Sequence, residues 1–332
     1  MYPIHRILVA IKDPRAASHP SVAKAAAIAA ALDAPLQLFH AIDDPVSRNP
    51  SVVEGLPLPQ IEQQQETYRQ LLEVIAIPLR RRGLSVTTAV ELDFPLHDAI
   101  IRSAANFDAS LVVVADHARV HHLPWLLHYT DWDLLRACPV PLLLVKSPIP
   151  YRRPAILAAL DPTRALAKPA TLDDEILRFS ATLADALDGN VHAVHGYVPV
   201  PPDVSAAVLG NAAELEKTLA ATEHTALDAL RRTTDPLGIS RDRLHVVGRH
   251  PADAVEEVAA QLGSQIVALG SVSRSGLERL LLGNTAEALI DRLKCDILVV
   301  KPPTFRHNVA RAPRGAHLVP MPLAAGIFPR QP

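Results

Sequence analysis

The sequence repeats itself at a fixed distance, and this repeat constrains the fold more than any other feature. A shift of 155 residues places residues 98–148 on residues 253–303 without a gap, and 14 of the 51 aligned pairs are identical. The same shift pairs His40 with His195. Two copies of one structural unit therefore follow each other along the chain, and each copy must bury a hydrophobic core.

Each copy alternates short apolar runs with longer segments of helical period, which is typical of β-α-β units joined into a parallel sheet. The apolar runs carry Val, Leu and Ile on both faces, as strands covered by helices on each side do. The predicted strands are residues 6–11, 36–41, 86–90, 111–114 and 142–145 in the first copy and 155–159, 191–194, 244–247, 265–269 and 297–300 in the second. The predicted fold class is α/β, with two tandem Rossmann-like domains, each a five-stranded parallel sheet covered by helices.

Composition places the domain boundaries. Prolines in KSPIPYRRP, residues 146–154, prevent the last strand of the first copy from continuing. The stretch from residue 302 onward is rich in proline, carries four arginines and contains no acidic residue, so it can bury too little surface to fold. The sequence therefore predicts a first domain at residues 1–148, a second at 149–303 and a disordered tail, rich in Pro and Arg, at 304–332.

The net charge and the number of cysteines limit the cellular location and the binding partners that the sequence predicts. The chain has 33 Lys and Arg against 35 Asp and Glu, and its net charge of -2 gives no general attraction to nucleic acid or to acidic membranes. Only two cysteines are present, Cys138 and Cys295, which suits a reducing compartment better than a disulfide scaffold. The first 13 residues lack the apolar stretch of a signal peptide. We therefore expect a cytoplasmic protein that binds neither nucleic acid nor membranes.

In an open parallel sheet a ligand binds beyond the carboxyl ends of the strands, where the strand order reverses. In the second copy the loops after the first and fourth strands begin at Leu160 and Gly270. Here the chain resembles the universal stress protein family, and specifically its tandem members of the universal stress protein E type. The resemblance covers residues 1–303 and depends on TDWDLLRACPVPLLLVK at the end of the first copy and GNTAEALIDRLKCDILVVKPP in the second.

The resemblance implies a nucleotide site in the second copy. Members of the family that bind nucleotides carry G-x2-G-x9-G-[ST], whose backbone N–H groups and hydroxyl hold the phosphates, and an Asp after strand one near the nucleoside. Gly270 and Gly283 match the first and third glycines, and Asp161 matches the acid. Ser273 replaces the second glycine, and Asn284 replaces Ser or Thr. A Cβ at position 273 costs about 1–2 kcal/mol if the backbone there needs a positive φ.

Neighbouring side chains compensate in part for these departures. The Asn284 amide can donate to a phosphate, Thr285 supplies a hydroxyl and Arg274 supplies a charge. A helix cap explains the presence of Asn284 without a ligand, because Asn284 followed three residues later by Glu287 is an N-capping arrangement. The predicted ligand is ATP or another adenine nucleotide. The predicted nucleotide-binding residues are Asp161, Gly270, Ser273, Arg274, Gly283, Asn284 and Thr285.

The first copy lacks this pattern. The equivalent positions hold Ala115, Ala118, His128 and Tyr129, so no glycine-rich loop remains to wrap a phosphate. We predict that this site is lost. Asp13 still ends the first strand, and we expect its side chain to hydrogen-bond to local backbone.

No motif of catalysis or metal binding is complete in the sequence. The chain lacks the P-loop, the G-x-S-x-G nucleophile elbow and the H-E-x-x-H zinc helix, and no nucleophile is matched with a base. His117 and His121 have i, i+4 spacing, but no carboxylate or thiolate pattern completes a metal site. His40 and His195 hold equivalent places in strand two, which indicates a hydrogen-bonded framework role. We predict no enzyme activity, no catalytic residues and no metal.

These observations together predict a stress-response binding module. The resemblance implies an adenine nucleotide alpha hydrolase-like fold in each domain, packing of the two domains as an internal pseudo-dimer, and a role in resisting DNA-damaging or starvation stress. One alternative is an interaction scaffold in which both sites are degraded. Another is a weak ATPase or a site for an apolar ligand. The sequence leaves the protein partners open and allows a monomer or a homodimer.

Overall fold

The structure is a computed structural model, and it describes residues 4–42, 58–93, 95–115, 128–163, 171–198, 212–271 and 284–305. Ser273, Arg274 and Gly283 of the predicted site lie outside these ranges, as does the tail beyond residue 305. The predictions for them stay predictions. Within the described ranges, none of the helices combines the length and the apolarity that a membrane-spanning segment needs.

The first copy alternates strands and helices as its hydrophobic pattern predicts. Its elements are β1 (Ile7–Ala10), α1 (Pro20–Leu32), β2 (Leu36–Ile42), α2 (Leu58–Arg81), β3 (Val86–Leu92), α3 (Leu96–Asn106), β4 (Leu111–Ala115), α4 (His128–Ala137) and β5 (Leu142–Val145). Helix α1 begins at Pro20, whose fixed φ suits a first helical turn. All five predicted strands of this copy are confirmed, and β2 and β3 run one or two residues further than predicted.

The second copy repeats the same order of strands and helices. Its elements are β6 (Ala155–Ala159), α5 (Leu172–Ala186), β7 (Asn190–Gly196), α6 (Ala212–Thr234), β8 (Leu244–Val247), α7 (Pro251–Leu262), β9 (Ile266–Gly270), α8 (Asn284–Arg292) and β10 (Asp296–Val300). Helix α7 also begins at a proline, Pro251, and ends at Gly263 in the left-handed conformation. The predicted strands of this copy are confirmed as well.

All ten strands form one sheet in the order β3-β2-β1-β4-β5-β10-β9-β6-β7-β8. Neighbouring strands are parallel within each copy, whereas β5 and β10 pair antiparallel with Leu143 opposite Leu298. We call this β5–β10 boundary the seam. Because Leu143 and Leu298 are equivalent under the 155-residue shift, a pseudo-twofold axis passes through the seam. The predicted fold class is therefore confirmed, including the internal pseudo-dimer.

Helices cover both faces of the sheet and continue its core across the seam. Helices α1, α2, α5 and α6 pack on one face, where apolar residues of both copies form one buried cluster. Helices α3, α4, α7 and α8 pack on the other face over a second cluster that also draws on both copies. The strands are consequently buried on both sides, as their continuous apolar sequences predict.

Backbone conformation repeats together with the sequence. Asp33 and Asp188 have φ values of 51° and 52°, and Asp108 and Gly263 have φ values of 55° and 59°. Each pair is separated by 155 residues and follows the end of a helix. Aspartate tolerates this left-handed region better than most residues other than glycine. The 155-residue shift thus identifies structurally equivalent positions in α1 and α5 and in the later elements.

Two lysines cross the seam in equivalent ways. Lys146 Nζ donates to the Ile290 carbonyl in the second copy, and Lys301 Nζ donates to the Leu135 carbonyl in the first copy at 2.7 Å. Both carbonyls belong to the last turns of helices, α8 and α4, where backbone acceptors lack helical partners and a cation is favourable. Because the two contacts are related by the 155-residue shift, each lysine could bond to the helix-end carbonyl of either copy.

Burial at the seam perturbs two titratable groups. The Cys138 thiol is fully buried, and this burial raises the pKa of Cys138 from 9.0 to about 11. Desolvation lowers the pKa of the Lys301 ammonium from 10.5 to about 8. Cys138 therefore acts as a packing residue that stays protonated in the folded state.

We predict that Cys138→Ala changes the pH dependence of stability. A thiol whose pKa is raised on folding contributes stability that is fully present below pH 9 and is lost as the pH rises through 11. Between these values the wild type should lose up to about 2.7 kcal/mol relative to the variant. Urea unfolding of both proteins from pH 8 to pH 11 measures this difference. Lys301 shifts stability in the opposite direction in both proteins, and its larger cause, desolvation, is common to both, so the comparison removes most of its contribution. A difference that does not vary with pH contradicts the burial argument.

Candidate functional site

The carboxyl ends of β6 and β9 form the switch point of the second copy. Strands β6 and β9 are parallel neighbours, and the helices α5 and α8 that follow them cover opposite faces. Asp161 comes shortly after β6, and Gly270 is the last residue of β9. Helix α8 begins at Asn284, and Thr285 lies half-buried in its first turn. The structure thus brings Asp161 and Gly270 to adjacent strand ends.

The Asp161 carboxylate is held at this edge while part of it stays accessible. Its side chain is 39% exposed, and the Thr163 hydroxyl lies 3.3 Å from its Oδ1 atom. The buried His195 places Nδ1 3.9 Å from the same oxygen and 3.1 Å from the Leu160 carbonyl. Nδ1 therefore carries the proton and donates it to the backbone. The predicted framework role of His195 at the end of its strand is confirmed.

Thr163 also belongs to the hydrogen-bonded cluster at this strand end, although no pattern in the sequence marked it as a site residue. Its hydroxyl lies 3.4 Å from His195 Nε2 as well as 3.3 Å from Asp161 Oδ1. A hydroxyl, an imidazole and a carboxylate are the groups of an activated nucleophile. Here, however, the imidazole Nδ1 faces a backbone carbonyl, and the single hydroxyl proton has two acceptors. These contacts position the loop after β6, and no local pattern could reveal them because His195 is 32 residues away.

Asp173 places a buried carboxyl group against the same loop, although no sequence pattern marked it as a site residue. Its side chain is 4% exposed, and its two oxygens lie 3.3 and 3.5 Å from the Asp161 backbone nitrogen, which donates to them. Asp173, Asp174 and Glu175 form the first turn of α5, where the helix dipole favours anions. The carboxylate oxygens of Asp161 and Asp173 are hydrogen-bond acceptors, which suit the hydroxyl and amino groups of a ligand.

Gly270 allows a close approach between β9 and α5. A Cβ atom on Gly270 would lie 2.6 Å from Leu172 Cδ2 and 2.9 Å from Leu172 Cγ, well inside van der Waals contact. Leu172 begins α5 and is 2% exposed. Packing of this first turn thus requires a glycine at position 270, whether or not a ligand binds nearby.

The equivalent place in the first copy has different neighbours. Asp13 Oδ1 accepts from the Arg15 backbone N–H at 2.9 Å, as predicted. His40 Nδ1 donates to the Ile11 carbonyl at 2.7 Å, and burial lowers the pKa of His40. The Tyr68 ring lies 4.4 Å from the His40 ring and 5.2 Å from the Arg15 guanidinium. An aromatic ring and a cation therefore lie beside the histidine of the first copy, whereas Asp13 itself is exposed.

The histidines provide no evidence for a metal centre. Among the residues that the structure describes, no three His, Cys, Asp or Glu side chains are grouped so that they could hold a metal ion. His117 and His121 lie outside the described ranges. His192 and His245 do meet, with Nδ1 and Nε2 3.1 Å apart, and burial lowers the pKa of both. Two neutral rings that share one proton account for this contact.

Comparison with known proteins places the chain among stress proteins. The universal stress protein family matches residues 3–146 and 157–301. The chain is 32% identical over 209 residues to a universal stress protein E homolog of Haemophilus influenzae, covering 62% of this chain and 66% of that protein. It is 31% identical over 223 residues to universal stress protein E of Escherichia coli K12, covering 64% and 67%. The matched segments thus span about two thirds of these relatives.

Solved structures agree with this relationship. A functionally unknown protein from Pseudomonas aeruginosa PAO1 has a TM-score of 0.69 and 26% identity, covering 90% of this chain and 93% of its own. A universal stress protein from Archaeoglobus fulgidus has a TM-score of 0.57 and 14% identity, covering 89% and 98%, and shares the fold. With both copies matched by the family and the same fold in solved relatives, the chain belongs to the universal stress protein family.

Proposed function

We propose that this protein is a stress-response binding module whose second copy holds an adenine nucleotide and whose first copy does not. The observation that carries the proposal is the Asp161 carboxylate, partly exposed at the switch point between β6 and β9. Parallel sheets of this kind bind ligands at that place. Family membership supports the stress-response role, and it supports a cytoplasmic location as part of the same proposal.

The local electrostatics suggest how the nucleotide lies. The carboxylates of Asp161 and Asp173 accept hydrogen bonds, so they suit the hydroxyl and amino groups of a nucleoside. The phosphates then extend toward the start of α8, where N–H groups of the first turn, which have no acceptor within the helix, and the Thr285 hydroxyl favour an anion. Arg274, Ser273 and Gly283, which lie in or next to the segment that matches the family motif, complete the proposed site.

We propose binding without turnover. Among the described residues at this strand end, the Thr163, His195 and Asp161 cluster comes nearest to a nucleophile with a base, and its hydrogen bonds hold the loop instead of activating the hydroxyl. Release of inorganic phosphate from ATP is therefore expected to stay at the level of a heat-killed control. An excess that disappears in Thr163→Val would instead assign catalysis to this cluster.

Removal of the predicted contacts should abolish nucleotide binding. Isothermal titration of ATP, ADP and AMP into protein that has been unfolded and refolded, to free it of bound ligand, should give dissociation constants in the micromolar range. Asp161→Ala should weaken binding about tenfold or more, because a hydrogen bond to a charged group contributes about 1.5–3 kcal/mol. Gly283→Val should weaken it by blocking backbone approach to the phosphates.

The first copy offers the matched control for this titration. Asp13→Ala removes the equivalent acid, whose oxygen is engaged by the Arg15 backbone, and should leave nucleotide affinity unchanged. Equal losses in Asp13→Ala and Asp161→Ala would show that the substitutions act through stability. Absence of heat with every nucleotide at millimolar concentration would overturn the proposed nucleotide site.

A protein-interaction scaffold is the second candidate, and one observation favours it. Gly270, the first glycine of the family motif, is explained without any ligand, because a Cβ atom there would lie 2.6 Å from Leu172 Cδ2. The helix cap that the sequence predicts at Asn284 and Glu287 would explain the last element of the motif in the same way. If both explanations are complete, this loop keeps its sequence only to pack α5 and to start α8.

The packing role of Gly270 is tested by stability. Gly270→Ala should lower the free energy of unfolding by about 1–3 kcal/mol, because its Cβ overlaps the Leu172 side chain. Adding Leu172→Ala removes the overlapping atoms, so the double variant should lose less stability than the sum of the two single variants. Urea denaturation of the four proteins measures this coupling. Additive losses would show that Leu172 is not what excludes a side chain at position 270.

A further inference from the structure

One end of the seam contains a buried ion pair between the two copies. Lys24 of α1 and Asp296 of β10 are 3% and 0% exposed, and Lys24 Nζ lies 2.5 Å from Asp296 Oδ2. Lys24 also donates to the Ser147 carbonyl at 2.7 Å. The lysine belongs to the first copy and the aspartate to the second. We call Lys24 and Asp296 the buried pair.

The segment between the copies completes the hydrogen bonds of this pair. Asp296 Oδ1 accepts from the backbone N–H groups of Lys146 and Ser147 at 2.9 and 3.0 Å. The Tyr151 hydroxyl donates to Asp296 Oδ2 at 2.6 Å, and the Tyr151 ring lies 4.6 Å from Lys24 Nζ. A charge pair taken out of water needs such a full set of partners. The aspartate is therefore matched to groups that only the first copy and the linking segment supply.

The pseudo-equivalent end of the seam is built differently. Under the 155-residue shift, Lys24 corresponds to Phe179 and Asp296 corresponds to Pro141, and both of these apolar residues are buried. Ser147 corresponds to Pro302, which has no N–H group to offer a carboxylate. The buried pair is therefore present once in the molecule, although the positions that hold it occur twice.

A second cross-seam ion pair shows the same asymmetry. Arg136 of α4 lies 3.2 Å from Glu287 of α8, and both side chains are about one-third exposed. The equivalent of Arg136 is Asp291, and the equivalent of Glu287 is Trp132. A seam between two second copies would place Glu287 against Asp291, and these like charges repel. This repulsion is weaker than that of buried charges because water screens it, but it acts in the same direction.

Pairing of like copies would leave buried charges without partners. Two first copies would each bury Lys24 against Pro141, and two second copies would each bury Asp296 against Phe179. Breaking a buried pair by removing one partner is strongly destabilising, although the intact pair need not stabilise much over an apolar contact. The lysine contacts that Lys146 and Lys301 make with helix ends would persist in every pairing, so they do not discriminate. Discrimination comes from the buried pair.

We propose that Lys24 and Asp296 make the seam selective, so that the first copy accepts the second copy of this chain and neither copy accepts another like itself. Strand edges such as β5 and β10 otherwise accept any matching strand. The unpaired charge is the repulsive element that a specific interface needs. The chain consequently closes on itself and keeps its two unlike halves in one molecule.

A cysteine on the pseudo-twofold axis reports pairing of like copies. In the intact seam Leu143 faces Leu298, so the thiol introduced by Leu143→Cys has no cysteine opposite it. In a pair of first copies from two chains, the two introduced thiols face each other at the Cα spacing of antiparallel neighbours, about 4.5–5.5 Å, which a disulfide can bridge. The full-length chain is refolded from denaturant at high concentration in oxidising buffer. Peptide mapping then measures the 143–143 disulfide separately from any bond of Cys138 or Cys295.

The yield of the 143–143 disulfide is compared in the Leu143→Cys chain and in two variants of it, which distinguishes selective pairing from a general weakening of the seam. The Leu143→Cys chain with the buried pair intact should yield little of the 143–143 disulfide. Addition of Lys24→Met with Asp296→Asn, which neutralises the pair and keeps an acceptor for the two backbone N–H groups, should raise the yield about tenfold. Addition of Lys146→Met to the Leu143→Cys chain weakens a contact common to every pairing. The yield of the 143–143 disulfide should then stay as low as in the Leu143→Cys chain with the buried pair intact.

The outcomes decide the proposal in either direction. Equal yields with and without the buried pair, including no disulfide in either, would overturn it, because covalent linkage alone would then enforce correct pairing. A rise with Lys146→Met as large as with the neutralised pair would also overturn it. If Lys24→Met with Asp296→Asn does not regain the circular dichroism spectrum of the parent chain, Lys24→Gln with Asp296→Asn provides a polar neutral pair for the same comparison.

Discussion

The antiparallel pairing of β5 with β10 is the interaction on which the rest of the structure depends. Each copy alone would end in a strand whose backbone N–H and C=O groups face water, and this pairing satisfies them while joining ten strands into one sheet. Two apolar clusters continue across it, and Lys146 and Lys301 satisfy helix-end carbonyls on the opposite copy. The seam is therefore part of the hydrophobic core, and either copy would lose much of its packing without the other.

Duplication inside one chain allows the two halves to diverge, and their switch points differ in electrostatics. In the first copy the Tyr68 ring lies against His40 and the Arg15 guanidinium. In the second copy a buried carboxylate, Asp173, lies next to Asp161. Both copies keep the histidine whose Nδ1 donates to the carbonyl at the end of strand one. The framework is thus common to both copies, and the side chains around it differ.

The hydrophobic repeat was enough to predict all ten strands, because a strand covered on both faces leaves a continuous apolar signature in the sequence. Asp13 was also predictable, since a carboxylate that bonds the backbone two residues later needs no distant partner. Thr163 and Asp173 were not predictable as site residues. Their partners, His195 and the Asp161 backbone nitrogen, come into reach only after β6, β7 and α5 have packed. Gly270 was recognised, but its contact with Leu172 lies across the sheet–helix interface, which no spacing in the sequence encodes.

The sequence by itself determined the α/β class, the tandem repeat, the strand positions and the family, because periodicity and motif spacing are local properties of the chain. Only the tertiary structure decided which charges are buried and which atoms meet. Lys24 lies in an alanine-rich helix and Asp296 is the first residue of an apolar strand, and charged residues of these kinds are usually solvated. They lie 272 positions apart and form a buried pair solely because the seam folds one copy onto the other. Burial and proximity at that range depend on the whole fold, and one-dimensional patterns carry no record of them.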